Sequence, residues 1–98
     1  MFAAIRYYRT EPGSVDEVAR RVQEGFVPVI RETAGFVSYF VLAPGEREGA
    51  IVSVSVFEDQ ESAEESNRKA EDWVRQNLSE LLPDPEFAAG QIVIYESK

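Results

Sequence analysis

The sequence predicts an α+β domain in the order β-α-β-β-α-β, a four-stranded antiparallel sheet with two helices on one face. Two observations carry this prediction. Two long stretches show apolar residues at helical spacing, and each lies between shorter stretches rich in aromatic and β-branched types. Glycine and proline clusters mark the joints between them. A third observation is size: 98 residues with 44% apolar content suit one modest core, so residues 1–98 are read as a single domain.

Residues 2–9, Phe-Ala-Ala-Ile-Arg-Tyr-Tyr-Arg, form the first strand and end at the turn cluster Thr10-Glu11-Pro12-Gly13. Ser14 and Glu17 have the spacing of a capping box, which starts a helix, and Asp16 suits the positive end of its dipole. Val15, Val18, Ala19, Val22, Phe26, Val29, Ile30 and Thr33 form its apolar stripe. Pro28 removes a donor inside that pattern and predicts a kink or restart between Gly25 and Pro28. Gly35 supplies the stop, because glycine adopts the left-handed C-terminal conformation without steric cost.

Phe36–Ala43 and Ala50–Phe57 read as the second and third strands, a hairpin joined by the polar loop Pro44–Gly49. In the third strand Val52, Val54 and Val56 alternate with Ile51, Ser53, Ser55 and Phe57. Asp59 is the expected N-cap of the second helix, with Glu58, Glu61, Glu64 and Glu65 at its start and Arg68, Lys69 and Arg75 later. Its stripe is Ala63, Ala70, Val74, Leu78 and Leu81, with Trp73 at the edge, and it stops before Pro83-Asp84-Pro85. Gln91–Glu96 is the expected fourth strand.

Two strand-helix-strand units in series give the split βαβ arrangement of ferredoxin-like folds, and right-handed crossovers put both helices on the same face. The other face also needs a cover. Val37, Tyr39 and Val41 lie on one side of the second strand and Phe36, Ser38, Phe40 and Leu42 on the other, so both sides are largely apolar. An exposed face of that kind marks an interface or a ligand cavity, and face-to-face homodimerisation about a two-fold axis into a closed or half-closed barrel covers it.

Composition removes several functions. A net charge of −8 repels phosphate backbones and anionic lipid, so neither nucleic acid nor a membrane is an expected partner. Apolar runs of about four residues fall far short of the roughly 20 that span a bilayer. The N-terminus has no basic segment followed by a long apolar one, so no signal peptide is read and a cytoplasmic location is expected. Without cysteine or histidine the chain lacks a thiolate nucleophile and the commonest general base and transition-metal ligand; no metal site is expected.

The first strand, the amphipathic helix, the step Gly35-Phe36-Val37-Ser38-Tyr39 and the run Ser55-Val56-Phe57-Glu58-Asp59 entering an acidic helix with Ser62-Ala63 together resemble the antibiotic-biosynthesis-monooxygenase-like group of dimeric α/β-barrel proteins. The resemblance covers nearly the whole chain. It implies a ferredoxin-like protomer, a dimer of packed sheets and a pocket in each protomer between sheet and helices. It implies no cofactor: some members oxidise polycyclic aromatics with oxygen alone, some degrade haem, and many have no known activity. The haem-degrading branch fits least, since it uses a histidine on the second helix, an asparagine on the first strand and a tryptophan. Here that strand offers Arg6, Tyr7 and Tyr8, and Asn67 stands near the position of that tryptophan.

Arg6 is a charge within an apolar strand, which must reach solvent, pair, or face a ligand; a fixed guanidinium there can stabilise an anionic or enolate substrate. Asn67 lies on the buried arc of the second helix and is a candidate ligand contact, as is Asn77. Trp73 can stack on an aromatic ligand. Tyr7, Tyr8 and Tyr39 can donate phenolic hydrogen bonds, although strands hold aromatics for packing alone. Arg6, Asn67 and Trp73 are the candidate catalytic residues, with Tyr7, Tyr8, Tyr39 and Asn77 as substrate contacts. Ser38, Ser53 and Ser55 have no visible base and read as packing residues. Two functions follow: a cofactor-independent monooxygenase acting on a small phenolic or polyketide-like aromatic, or a dimeric module that binds a small hydrophobic ligand without turnover. An isomerase or cyclase is a third, lacking an identifiable acid or base.

Overall fold

In the computed structural model, which describes residues 1–98, β1 (Phe2–Arg9) and β3 (Ala50–Phe57) form the centre of a four-stranded sheet. β2 (Phe36–Leu42) flanks β3 and β4 (Glu86–Gln91) flanks β1, every neighbouring pair being antiparallel. β1 pairs along its whole length with β3, from Phe2 opposite Phe57 to Arg9 opposite Ala50. Each strand-helix-strand unit steps over one strand, which is the ferredoxin-like topology.

The first helical segment is broken into α1 (Val15–Arg21), a π-helical turn (Val22–Phe26) and α2 (Val27–Arg31). The break falls where Pro28 predicts it, with the proline in the first turn of α2, where its missing donor costs least. One extra residue in the wide turn rotates all that follows by about 100°. Ile30 is therefore buried while Val29 is 36% exposed. The capping box does not form: Pro12–Ser14 make a 3₁₀ turn, Ser14 caps nothing with its side chain, and Glu17 binds Arg20 and Arg21.

Gly35 sits at φ +76°, and a Cβ there would meet the Ser62 side chain. Its carbonyl accepts from the Glu58 N–H at 2.8 Å, so the bare backbone lets β2 start tight against α3 (Gln60–Asn77). Asp59 caps α3 as predicted, accepting from the Ser62 N–H at 2.8 Å, and that bond holds its carboxyl below the usual range. No helix is long and apolar enough to cross a membrane.

The fourth strand is a correction. Residues 86–91 pair with β1, and Gln91 already lies opposite Phe2 at the end of that strand. The Ile-Val-Ile-Tyr run that signals a strand in the sequence begins where β1 runs out, leaving Val93 at 90% and Ile94 at 85% exposure.

Between helices and sheet the core divides in two. Phe2, Phe26, Ile30, Phe57, Ala63 and Ala70 form one cluster. Tyr8, Val18, Ile51, Leu78 and Leu82 form the other, and Val22 and Trp73 pack against both.

Candidate active site

A cavity of about 430 Å³ opens between the two clusters, with β1, β2 and β3 as its floor and α1, the π turn, α2 and α3 as its roof. Its volume lies in the range of small-molecule sites, and 20 of its 26 lining residues are hydrophobic. Strand alternation sets the floor: Arg6 lies opposite Ser53, Tyr8 opposite Ile51, and Tyr39 opposite Ser55, all on the helix side.

Arg6 is 6% exposed and makes no ion pair. Its Nη2 donates to the Asn67 carbonyl at 3.3 Å, and the guanidinium lies 5.1 Å from the Phe87 ring centroid. A carbonyl and a ring face leave most of its five donors free for another acceptor. Arg31 is the other charged residue in the lining; no carboxylate lines the cavity, although the chain carries a net charge of −8. Several acidic side chains on the outer helix surfaces pair with arginines three or four residues away, as Glu17 does with Arg20 and Arg21 and Asp72 with Arg75.

Aromatic side chains form one wall. Phe26 meets Tyr39 edge-on at 5.6 Å and 69°, and Trp73 at 5.6 Å and 45°. Gly25, in the π turn, lets Trp73 approach: a Cβ there would lie 2.7 Å from the indole Cζ2. Burial pushes the Tyr39 phenol well above its ordinary value and raises Tyr8 as well, while the nearby Arg6 partly offsets both shifts. Both phenols are neutral donors near pH 7.

Of the candidates read from the sequence, Arg6, Tyr8, Tyr39 and Trp73 line this one cavity. Tyr7 falls on the opposite face, where its hydroxyl accepts from Arg9 at 3.2 Å and Arg47 at 3.3 Å, because neighbouring strand residues point to opposite sides. Asn77 is exposed in the last turn of α3, with its Nδ2 bonded to the Trp73 carbonyl at 2.9 Å. Asn67 lies beside the cavity, not in its lining; its Oδ1 is buried without a partner, while its backbone carbonyl holds Arg6. Sequence reading missed Ser66 and Gln23 and treated Ser53 and Ser55 as packing, yet all four line the cavity. Ser66 falls at α3 spacing between Ala63 and Ala70, the one signal that places it inward.

Comparison with protein-family models matches residues 1–75 to the antibiotic biosynthesis monooxygenase family. The chain belongs to that family. Among solved structures, the fold resembles a mutant of SnoaB, a cofactor-independent oxygenase from Streptomyces nogalater, with TM-score 0.74 and 13% identity over 99% of this chain and 97% of that one. It resembles HapK from Hahella chejuensis with TM-score 0.79 and 16% identity, covering 100% and 99% of the two chains. A protein of unknown function from Nitrosomonas europaea matches with TM-score 0.82 and 15% identity, over 99% and 93%. At these identities the likeness establishes the fold. No curated protein matches the chain. The structural neighbours of this family member thus include one described as a cofactor-independent oxygenase and one of unknown function.

Proposed function

We propose that this family member is a homodimer whose cavity binds a small acidic aromatic, a phenol or polyketide-like enol, as its anion and lets it react with oxygen without a cofactor. The observation that carries this reading is the charge of the cavity: two arginines and no carboxylate in a strongly acidic chain. Arg6, held by Asn67 and Phe87, stabilises the phenolate or enolate. Trp73 and Phe26 present ring faces to the aromatic body, and neutral Tyr8 and Tyr39 donate to its oxygens.

The chemistry balances without a redox partner. The phenol or enol loses its O–H proton, and a C–H carbon of the delocalised anion adds oxygen through one-electron steps to give a peroxide anion, the hydrogen on that carbon leaving later as part of the water. Protonation and loss of water then leave a new carbonyl: one oxygen atom enters the product and the other leaves as water, with the substrate supplying the electrons. The lining has no carboxylate or imidazole to remove that first proton, so the substrate must be acidic enough to ionise beside Arg6.

Trp73 is the only tryptophan, so its fluorescence reports binding. Titration with ring-matched anionic and neutral aromatics is expected to favour the anion by about 10- to 100-fold, the range of a charge-assisted hydrogen bond. Arg6→Met is expected to abolish that preference and to suppress oxygen uptake in the same panel. Equal affinity for both charge states in the unmodified protein would overturn the reading. The lack of a resident base also supports a second reading, a module that binds the same ligands without turnover; anion-selective binding with no oxygen uptake across the panel would select it.

A further inference from the structure

We infer that Arg31 is the entrance residue of the cavity: it draws an anionic aromatic to the mouth and admits it toward Arg6, and so sets which charge type enters and how fast. The inference rests on the anion-binding reading above and adds the step that precedes binding.

Burial locates the mouth. Every exposed residue of the lining falls in one of two rows. Ala19, Gln23 and Arg31 form the helix row, with half-buried Val27 between the last two, at the four-residue spacing that keeps side chains on one side of a helix. Phe40–Ala43 form the strand row along the β2 edge. The rest of the lining is buried or half-buried, so a ligand enters between these rows. Arg31 carries the only charge in either row.

Every other arginine has a partner within the chain. Arg20 and Arg21 pair with Glu17, Arg68 with Glu65 and Arg75 with Asp72. Arg9 and Arg47 donate to the Tyr7 hydroxyl, and Arg6 donates to the Asn67 carbonyl. Arg31 has none. Its neighbour Glu32 is exposed, lies outside the lining and makes no ion pair with it. In a chain of net charge −8 carboxylates are abundant, so an unpaired guanidinium at the rim is free for a charge that comes from outside. A cation in the last turn of α2 also suits the helix dipole, but that role fixes the sign of the charge and not the side of the helix that carries it.

An aromatic anion approaching this chain is repelled by the net charge over most of the surface. A positive charge at the mouth reverses that locally. Acting through water from about 6 Å, a unit charge changes the encounter roughly threefold, and reversing its sign changes it roughly tenfold. The effect falls on association, because Arg31 stays in solvent, where a contact to the bound ligand adds little. Arg6 is buried in β1, two strand spacings or about 10 Å from the β2 edge, and acts on the bound state instead.

Stopped-flow mixing tests this, with Trp73 fluorescence as the signal, naphthoate as the anionic probe and naphthamide as its neutral match. For naphthoate at about 10 mM salt, Arg31→Gln is expected to slow association roughly threefold and Arg31→Glu roughly tenfold, with Arg31→Lys within about twofold of the unmodified protein. At about 1 M salt, where the screening length is about 3 Å, the variants should converge. Dissociation rates and naphthamide association should stay within about twofold throughout. Arg6→Met is expected to do the reverse, speeding naphthoate dissociation more than it slows association. Naphthoate association that ignores the charge at position 31, or a change carried by dissociation, would overturn the role of Arg31 and leave the anion site standing. Naphthoate that binds no tighter than naphthamide would overturn the anion site and this inference with it.

Discussion

On the helix side of the sheet Ala4 and Phe57 are at most 1% exposed, while on the opposite side Ile5, the next residue along, is 42% exposed and Phe40 51%. The same strands supply both faces with the same residue types, so hydrophobicity does not distinguish them. Polar groups do. The helix side takes Arg6, Ser55 and Ser66 into burial and leaves the guanidinium without an ion pair, at a cost that packing alone does not repay. The open side has apolar surface without a cover. In the proposed function the buried polar atoms belong to the face that binds the substrate, and the exposed apolar ones to the face that meets a second copy.

Truncating one large ring on each face gives the largest contrast. Phe57→Ala removes a side chain that is 0% exposed at the centre of a cluster, and is expected to cost about 3–5 kcal/mol in urea unfolding at every protein concentration. Phe40→Ala is expected to cost under about 1 kcal/mol when the protein is dilute and more as concentration rises, because in the proposed homodimer its partner surface is a second copy of the chain. A concentration-independent loss for Phe40→Ala would erase the distinction between the faces.

Much of this was legible in the sequence. Period-two and helical patterns locate three strands within a residue and the starts of both helical segments, although α3 ends at Asn77, short of the stop expected before Pro83; Pro28 and Asp59 mark a break and a cap that the structure contains. Two signals misled for a shared reason: each was locally correct and lost to a neighbour. Ser14 and Glu17 have capping-box spacing, but Pro12 tightens the entry into a 3₁₀ turn and two arginines take Glu17. Ile92–Tyr95 has the strongest strand composition near the C-terminus, but Glu86–Gln91 reaches β1 first. For the site, Arg6 stood out because a lone charge in an apolar strand is costly, and Tyr8, Tyr39 and Trp73 followed from residue type. Tyr7 and Tyr8 differ only in the side to which they point, which the strand register settles and composition does not. Asn67 read as a ligand contact because a buried amide needs a partner, whereas its backbone carbonyl is the group that positions Arg6.

A smaller perturbation tests the helix side alone. Gly25→Ala would ordinarily favour a helix, yet its Cβ would meet the Trp73 ring at 2.7 Å. Trp73 is backed by Phe26 on one side and borders the cavity on the other, so it yields into the cavity. The expected loss is about 1–2 kcal/mol, in the overpacking range, with ligand affinity reduced about tenfold or more and self-association unchanged. A change in the dimerisation constant instead would show that the two faces are mechanically coupled.

The mildest probe is alkali, which acts on the helix side through its two phenols. In the unfolded chain Tyr8 and Tyr39 ionise near the ordinary phenol value of about 10, and in the fold burial holds both above it. The folded state therefore keeps protons that the unfolded state has lost once pH exceeds about 10. Stability from these residues is fully present below that pH and falls as pH rises toward the folded values, by at most about 1.4 kcal/mol per pH unit for each phenol. Urea unfolding between about pH 9 and 11 should show this decline, with phenolate absorbance rising in step with unfolding. Tyr39→Phe removes its share of the slope and leaves that of Tyr8. Desolvation is the largest cause of both shifts and Arg6 opposes it, so Arg6→Met should delay ionisation of both phenols further. Earlier ionisation in that variant would mean that Arg6 does not face the phenols, and would remove the electrostatic basis for an anion in this cavity.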